Sequence, residues 1–345
     1  MDKILSIIVP SYNMEAYLPK CLGSLIIDDK ELLQKLDVIV VNDGSKDRTS
    51  EIAHEFEAKY PGVFRIIDKT NGHYGSCVNA ALSIAVGKYV KMLDADDSYD
   101  TDNFRRFLKF LVDKALPNAI DFIMMDLVVV DEFGKETPIR SFSLGDGIYT
   151  LDDFSDRIFH GMSIHSAAIK TEIFKSIDYK QTEGIPYTDL EWVFLPLSKV
   201  KRVMCFPYPV VRYLRGREGQ SFSPENQRRD CMKRVQVIMR HVRDYKQHVA
   251  DFEPTARRYM RGRLLNRLEL AYQTMFETGN SLAPLDDLLK DELPEFYALA
   301  DKFSCSSLKF RYVREWRRVR SFDSLKFRLY FWAKRITSTL RGGLK

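Results

Sequence analysis

The sequence predicts an α/β protein with a mostly parallel, Rossmann-like sheet, helices on both faces, and a helical C-terminal region. In the first hundred residues, short apolar runs alternate with longer helical patterns. The runs contain few polar residues, as strands covered on both faces require. From residue 224 onward, apolar residues recur at helical spacing with little interruption.

The individual elements follow from these patterns. Apolar runs that end at turn-forming residues predict four strands, at residues 4–9, 37–41, 64–68 and 89–93. Apolar residues three and four apart predict three helices, at residues 17–27, 49–60 and 75–86. A strand over residues 120–131 follows, with short elements continuing to about residue 213. We place a domain boundary near residue 220, which divides residues 1–220 from a helical, basic region at residues 221–345.

Charge is distributed unevenly along the 345 residues. The net charge is +5, but residues 225–345 hold 26 Lys/Arg and 15 Asp/Glu, so residues 1–224 sum to −6. Residues 311–345 alone hold 11 basic and 2 acidic residues. A basic end on a mildly acidic body predicts attraction to a polyanion, either a membrane surface or nucleic acid.

Cysteine usage and hydropathy limit the cellular setting. The five cysteines are scattered and form no CxxC pair, which predicts neither a zinc site nor a disulfide framework. We therefore expect reduced thiols in a cytoplasmic protein. The apolar run at residues 4–9 is too short for a signal peptide, and no run approaches the roughly 20 residues of a membrane span.

A polar cluster follows each of the four predicted strands. In a parallel sheet these strand ends meet at one edge, where ligands bind. We therefore expect a binding site built from four loops: Pro10-Ser11-Tyr12-Asn13, Asn42-Asp43-Gly44-Ser45, Asn71-Gly72-His73 and Asp94-Ala95-Asp96-Asp97.

The acidic cluster at residues 94–97 indicates a metal. Three carboxylates within four residues repel one another unless a divalent cation lies among them, and oxygen ligands favour Mg²⁺ or Mn²⁺. The alternative is a solvated turn that caps the next helix. Asp43 could accept hydrogen bonds from a base or ribose, or simply belong to a turn at Gly44. Likewise, Tyr12 could stack on a base or fill a loop.

Four segments resemble, in order and spacing, the family-2 glycosyltransferases of GT-A fold. The resemblance covers about residues 3–220 and rests on Ile8-Val-Pro-Ser-Tyr-Asn13, Val41-Asn-Asp-Gly-Ser-Lys-Asp-Arg-Thr49, Asn71-Gly-His-Tyr-Gly-Ser-Cys-Val-Asn79 and Lys91-Met-Leu-Asp-Ala-Asp-Asp97. It implies a nucleotide-diphosphate sugar donor, which we expect to be a UDP-sugar, and inversion at the anomeric carbon.

The resemblance also implies roles for individual residues. Tyr12 and Asp43 would hold the base, Asn71 and Asn79 would line the nucleotide site, and Pro10 would contact the nucleotide sugar. Asp96 and Asp97 would contact the ribose and the metal. The expected metal ligands are Asp96 and Asp97, with Asp94 possible, and the expected nucleotide-sugar contacts include Asp94 and Asp96.

A second acidic segment resembles the part of the family that supplies the general base. It reads Gly184-Ile-Pro-Tyr-Thr-Asp189-Leu-Glu-Trp192, where family members often have Glu-Asp in place of Thr188-Asp189. We therefore assign the base to Asp189, with Glu191 as the alternative. A carboxylate can accept the proton of an attacking hydroxyl. The other interpretation is an acidic residue at a helix start.

A loop of arginines completes the predicted site. Arg215, Arg217, Gln220 and Ser221 suit a pyrophosphate, because guanidinium groups bind phosphate oxygens in pairs. The alternative is a basic surface loop. His73 and His165 could contact substrate, although a single histidine in a loop is more often solvated.

These residues predict direct displacement at the anomeric carbon. A metal would neutralise charge on the leaving nucleotide while Asp189 deprotonates the acceptor. The alternatives are a sugar nucleotidyltransferase, for which the N-terminal region lacks a glycine-rich loop with a lysine, and a non-enzymatic protein that binds nucleotides or polyanions. We expect a glycan or lipid-linked glycan as acceptor.

The basic tail has two interpretations. Leu325, Leu329, Trp332 and Ile336 recur at helical spacing among Lys326, Arg328, Lys334 and Arg335, as in an interfacial helix. The other interpretation is a helix packed on the catalytic domain. The first predicts a peripheral protein at the inner face of the membrane, bound through residues 311–345. Despite aromatic residues that could stack on bases, we expect no nucleic acid, because no nucleic-acid motif is present.

Overall fold

One mixed sheet organises the described part of the chain. The computed structural model describes residues 2–139, 144–154, 164–217, 220, 224–304 and 310–332. Nine strands form the sheet. They are β1 (Leu5–Ser11), β2 (Leu36–Asn42), β3 (Phe64–Asp68), β4 (Tyr89–Met92), β5 (Ser98–Tyr99), β6 (Phe122–Asp131), β7 (Glu136–Ile139), β8 (Ala167–Lys170) and β9 (Val203–Arg215).

The strands lie in the order β3-β2-β1-β4-β8-β6-β9-β5, with β7 beside β6. The first four are parallel to one another. Beyond β4 the sheet is mixed, since β8 is antiparallel to both β4 and β6, while β9 is parallel to β6 and β5 antiparallel to β9. Six of these nine strands thus run in one direction, and the predicted α/β fold with a mostly parallel sheet is confirmed.

Helices follow or separate the strands in the predicted places. They are α1 (Leu18–Gly23), α2 (Lys30–Leu33), α3 (Thr49–Lys59), α4 (His73–Ile84), α5 (Thr101–Phe110), α6 (Thr171–Ser176), α7 (Asp189–Trp192), α8 (Pro224–Arg229), α9 (Cys231–His248), α10 (Pro254–Thr278), α11 (Ala283–Glu292), α12 (Pro294–Ala300) and α13 (Tyr312–Val319). Residues 325–332 are also helical. The first helix is shorter than the predicted 17–27.

Alternating side chains of the strands fill two cores, one on each face of the sheet. Ile7 and Val9 of β1 belong to the core that contains α1 and α5, whereas Ile8 belongs to the core that contains α4. All seven residues of β2 are buried, as expected for a strand covered on both faces. The apolar runs of the sequence therefore correspond to strands at the centre of the sheet.

The C-terminal helices extend one of these cores. Val235 of α9 and Tyr272 of α10 are buried in the same apolar cluster as Met92 of β4 and Trp192 of α7. The predicted boundary near residue 220 falls between β9 and α8, and the division into two domains stays a prediction. Across the described ranges, no helix combines the length and apolarity needed to cross a bilayer.

We predict that Gly87→Ala destabilises the sheet. Gly87 lies just before β4, and its N–H donates to Ser6 Oγ over 2.9 Å. A Cβ atom there would overlap the backbone nitrogen of Ser6 and lie 2.7 Å from the carbonyl carbon of Leu5. We expect the free energy of unfolding, measured by urea titration, to fall by about 3 kcal/mol.

The matched control is Gly23→Ala, because a Cβ atom there would meet no atom within 4 Å. We expect this variant to stay within about 0.5 kcal/mol of the wild type. Equal stabilities for the two variants would contradict the close approach of Gly87 to β1.

Candidate active site

The polar loops meet at the carboxyl edge of the sheet, as predicted. The end of β1 is joined to the loop after β2 by the N–H of Asp43, which donates to the carbonyl of Ser11 over 2.8 Å. Tyr12 follows directly, and its side chain is 45% exposed, whereas Pro10 is half-buried within β1. The edge therefore presents an accessible aromatic ring beside a buried carboxylate.

Asp43 is held by the loop that precedes α4. One of its carboxylate oxygens accepts from Lys69 Nζ over 2.8 Å and from the N–H of Gly72 over 2.9 Å. Gly44 has a φ of +75°, and a Cβ atom there would lie 3.0 Å from the backbone nitrogen of Asn71. Asn71 itself is exposed at the edge. The contact of Asp43 with a base stays a prediction.

Each aspartate of the acidic cluster has a different partner. Asp94 accepts a hydrogen bond from the Tyr74 hydroxyl over 3.1 Å. Asp96 pairs with Arg217, whose Nε lies 2.6 Å from a carboxylate oxygen. Asp97 accepts from the N–H of Leu214 over 2.8 Å. The three carboxylates thus point towards α4, the loop after β9 and β9 itself.

His165 joins two of these aspartates. Its Nδ1 lies 3.4 Å from Asp97 Oδ2, and its Nε2 lies 3.9 Å from Asp94 Oδ2. One ligand atom from each of the three residues lies within 4.8 Å of the others, so together they could hold a metal ion. The structure therefore groups Asp94 and Asp97 with His165, whereas Asp96, one of the two expected ligands, pairs with Arg217.

Burial shifts the proton affinities of this cluster. It raises the pKa of Asp94 to about 7, with Asp96 and Asp189 adding repulsion. Burial also raises the pKa of Asp97, again with help from neighbouring aspartates. Burial, followed by the charge of Lys91, lowers the pKa of His165 to about 3, so the imidazole is neutral and can act as a ligand.

Two buried atoms show that the cluster fits a cation. Within the described residues, neither Asp97 Oδ2 nor His165 Nδ1 has a hydrogen-bond partner, although both are excluded from solvent. A divalent cation would give these lone pairs a partner and favour the charged carboxylates. One imidazole nitrogen beside two carboxylates suits Mn²⁺ better than Mg²⁺, which takes oxygen ligands.

Two described residues of the loop after β9, Arg217 and Gln220, lie near the cluster. Gln220 accepts from the N–H of Gly216 over 2.8 Å and donates to the carbonyl of Leu214 over 2.7 Å. The guanidinium of Arg217 also lies 5.3 Å from the centre of the Tyr17 ring. Arg215 is exposed at the end of β9. Ser221, the remaining residue of the predicted loop, lies outside the described residues.

The segment that carries Asp189 is attached to α4. Asn79 donates to the carbonyl of Gln181 over 2.9 Å and accepts from the N–H of the same residue over 2.8 Å. Gly75 lies so close to this segment that a Cβ atom would overlap the carbonyl oxygen of Thr182. Asn79 thus uses both ends of its amide to hold the segment that leads to Asp189, and its contact with the nucleotide stays a prediction.

Buried side chains then fix the short helix α7. Trp192 is fully buried, with its ring 4.4 Å from that of Phe174. Glu191 is 3% exposed and accepts from the N–H of Thr182 over 2.8 Å. Asp189, at the start of the helix, is only partly buried. Of the two candidate bases, Asp189 is therefore the more accessible, while Glu191 Oε1 is buried without a hydrogen-bond partner among the described residues. The assignment of the base to Asp189 stays a prediction.

Electrostatics connects Asp189 to the acidic cluster and to the C-terminal helices. Burial raises the pKa of Asp189, while Arg267 of α10 and Arg234 of α9 oppose the rise. Asp94 and Asp189 both raise the pKa of Tyr74, after the larger effect of burial. Asp94 and Asp189 therefore act on the same region of the molecule.

His165 lies closer to the acidic cluster than its sequence context indicates, and no sequence pattern predicts the parts of Tyr74, Arg234 and Arg267. Only the register between β4 and β8 would have predicted that His165 lies near the acidic cluster. Lys91 of β4 is opposite Ala168 of β8 in an antiparallel pair, so His165 falls opposite Asp94. No local spacing marks the two arginines, which reach Asp189 from helices more than forty residues away.

Comparison with known proteins identifies the family. Residues 6–177 match the sequence model described as "Glycosyl transferase family 2". The chain therefore belongs to glycosyltransferase family 2, and the predicted resemblance is confirmed. An uncharacterized glycosyltransferase, MG025 of Mycoplasma genitalium, is 36% identical over 109 residues, which are 31% of this chain and 36% of that protein. The chain spans about a third of the length of the first curated relatives it matches.

Solved structures share the fold. The crystal structure of S. aureus TarS 1-349 has a TM-score of 0.66 at 20% identity and covers 93% of this chain and 88% of its own. Its complex with UDP-GlcNAc has a TM-score of 0.53 at 19% identity, covering 93% of both chains. Mannosyltransferase PcManGT from Pyrobaculum calidifontis, in complex with GDP-Man and Mn²⁺, has a TM-score of 0.51 at 17% identity and covers 92% and 83%. These likenesses establish the GT-A fold.

We predict that His165→Ala and Asp97→Asn each weaken Mn²⁺ binding at least about tenfold. Even residues that only hydrogen-bond to a metal ligand contribute about tenfold to metal affinity, and a ligand should contribute no less. Electron paramagnetic resonance of free Mn²⁺ during titration of the chain measures the affinity. The control is His54→Ala, a surface histidine of α3 whose side chain is 49% exposed. Wild-type Mn²⁺ affinity in both site variants would show that the cluster is not the metal site.

Proposed function

We propose that this chain is an inverting hexosyltransferase that moves a sugar from a UDP-sugar to a hydroxyl of a glycan or lipid-linked glycan. The observation that carries the proposal is the joint placement of Asp189 and the cluster of Asp94, Asp97 and His165 at the carboxyl edge of a GT-A sheet. A polysaccharide biosynthetic role follows from this acceptor class. The complex of TarS with UDP-GlcNAc supports a uridine nucleotide.

The donor would lie along the carboxyl edge. Tyr12 offers an exposed ring for the base, and Asp43 lies beside it with one oxygen already bound to Lys69 and Gly72. Asp96 would contact the ribose, held in place by Arg217. Arg215, exposed at the end of β9, would contact the diphosphate as a charged donor of hydrogen bonds.

Asp94, Asp97 and His165 would hold the metal, for which Mn²⁺ fits the donor atoms best. When bound, a divalent cation supplies charge neutralisation for the leaving nucleoside diphosphate. Tyr74 orients Asp94 through its hydroxyl, and the N–H of Leu214 orients Asp97. The structure of PcManGT with GDP-Man and Mn²⁺ supports a metal in this fold.

Asp189 would accept the proton of the acceptor hydroxyl as that oxygen attacks the anomeric carbon. Its raised pKa makes it a stronger base than an ordinary aspartate, and Arg234 and Arg267 keep it ionised. Glu191 would hold the segment through Thr182. The leaving phosphate needs no proton, so a single catalytic carboxylate suffices.

The location would be cytoplasmic, at the inner face of a membrane. Four cysteines of the described residues, Cys21, Cys77, Cys205 and Cys231, are free and buried. Free thiols are typical of a reducing compartment.

A thermal-shift screen tests the donor. We expect a UDP-sugar to raise the melting temperature in the presence of Mn²⁺, and to do so less without it, because a bound ligand stabilises the folded state. GDP-sugars and nucleoside triphosphates serve as comparison ligands. The proposal fails if no nucleotide sugar or nucleoside diphosphate stabilises the chain, or if a nucleoside triphosphate yields pyrophosphate.

Asp189→Asn should lower turnover about 100-fold while leaving donor affinity unchanged, because the base acts only on the attacking hydroxyl. The measurement is nucleoside diphosphate release from the donor found by thermal shift, with water or a glycan as acceptor. The pKa of Asp189 is raised by burial, and the wild-type rate should fall as the pH drops through this raised pKa, because the carboxylate becomes protonated. The variant should lack this dependence at saturating metal.

Glu191→Gln is the matched control, because it keeps the shape of a buried side chain that accepts from Thr182. We expect it to lose stability but to keep the acidic limb of the pH profile. The opposite outcome, with an active Asp189→Asn and an inactive but folded Glu191→Gln, would move the base to Glu191.

A further inference from the structure

The helix at residues 325–332 has two different faces. On the inner face, Phe327, Tyr330 and Phe331 place their rings 5.7, 5.2 and 5.2 Å from the ring of Phe276 on α10. Phe327 is fully buried and Tyr330 is 7% exposed. These aromatic contacts fix the orientation of the helix on the body of the protein, and hence which side chains point away from it.

The outer face exposes a stripe of large apolar side chains. Leu325, Leu329 and Trp332 are 71%, 54% and 63% exposed. Their spacing of four and then three residues places them in one line along the helix. We call these three residues the apolar stripe. Contiguous exposed apolar surface of this kind marks an interaction site more often than isolated residues do.

Two basic residues, Lys326 and Arg328, lie on the same helix as the apolar stripe, and Arg311 precedes α13, the helix before it. Arg311 and Arg328 are exposed, and neither takes part in an ion pair among the described residues. Lys326 is exposed too, although it pairs with Glu315 over 2.9 Å. Residues 311–345 hold 11 basic and 2 acidic residues in the sequence, and residues 333–345 contribute four of the basic ones and no acidic one. Lys334, Arg335 and Ile336 lie outside the described residues.

We propose that the apolar stripe and these basic residues form a docking surface for an anionic lipid bilayer. A bilayer interface takes both components, because apolar side chains enter the acyl boundary while lysine and arginine reach the phosphates. Tryptophan also favours this boundary. Nucleic acid would bind the charges but offer no apolar environment for two leucines. A protein partner would not require so large an excess of one charge.

The helix that carries this surface packs on α10, which also approaches the proposed catalytic carboxylate. Arg267 and Phe276 are nine residues apart on α10, which is about 14 Å along the helix axis. Arg267 acts on Asp189, and Phe276 supports the inner face of residues 325–332. Docking would therefore hold Asp189 in a defined orientation near the bilayer, where an acceptor with a lipid anchor would be found.

Vesicle sedimentation tests the proposal with the full chain and without any sugar nucleotide, so a failure would remove the membrane location but leave the proposed sugar transfer intact. We expect the wild type to pellet with vesicles of phosphatidylcholine and phosphatidylglycerol, and to remain in solution with phosphatidylcholine alone. Leu325→Gln, Leu329→Gln and Trp332→Gln in one chain should lower the partition coefficient about tenfold or more. High salt should lower it too, by screening the basic residues.

The matched control replaces Val86, Phe133 and Leu144 by Gln, since these are exposed apolar residues far from the stripe in sequence. We expect wild-type partition from this control and equal melting temperatures for both triple variants. A wild type that stays in solution with anionic vesicles, or a stripe variant that pellets as the wild type does, would overturn the proposal. So would equal partition of the wild type into uncharged vesicles.

Tryptophan fluorescence gives an independent readout. Of the three tryptophans, Trp192 and Trp316 are 0% and 1% exposed, so only Trp332 can change its solvent contact on docking. We expect a blue shift on addition of anionic vesicles, and no shift in Trp332→Phe, which should still pellet. A blue shift with an oligonucleotide but not with vesicles would assign the surface to nucleic acid. A shift that depends only on protein concentration would assign it to self-association.

Discussion

The rest of the site depends on the burial of carboxylates at the end of β4. Ionised groups lose hydration there, and Asp96 adds repulsion to both Asp94 and Asp97. The surrounding chain offsets this cost with hydrogen bonds from Tyr74 and from the backbone of Leu214, and with the guanidinium of Arg217 on Asp96. One oxygen of Asp97 still has no partner among the described residues. The fold thus leaves a place where a divalent cation could neutralise the carboxylates.

The same edge is coupled to α7, the helix that begins at Asp189, through α4. Tyr74 of α4 contacts the acidic cluster, while Gly75 and Asn79 of the same helix hold the segment that leads to Asp189. One motif of the sequence therefore positions both the group that would hold the leaving nucleotide and the group that would deprotonate the acceptor. A shift of α4 would move the acidic cluster and Asp189 together. The geometry of donor binding and the geometry of acceptor deprotonation would therefore change together.

The parts that were predictable from sequence are those governed by local pattern. Apolar runs predicted β1 to β4, and the turn residues after these strands predicted that Asp43 and Asp97 lie at the carboxyl edge of the sheet. The side chains that contact the aspartates were not predictable, because these contacts depend on strand register. β8 is antiparallel to β4, and this register brings His165 opposite Asp94. The direction of β8 follows from packing across the whole sheet, which no short spacing records. Asp189 was located by family resemblance, whereas its charged neighbours Arg234 and Arg267 come from helices that no motif marks.

The C-terminal helices consequently form part of the site as well as of the core. Their apolar residues share one cluster with β4 and α7, and their arginines oppose the rise in the pKa of Asp189. Because Phe276 of α10 also supports residues 325–332, the exposed apolar stripe is attached to the helix that carries Arg267. Under the proposed docking, a contact made at the stripe would fix the direction from which an acceptor approaches Asp189. In this arrangement, the choice of acceptor would depend on where the enzyme is held as well as on the side chains that line the site.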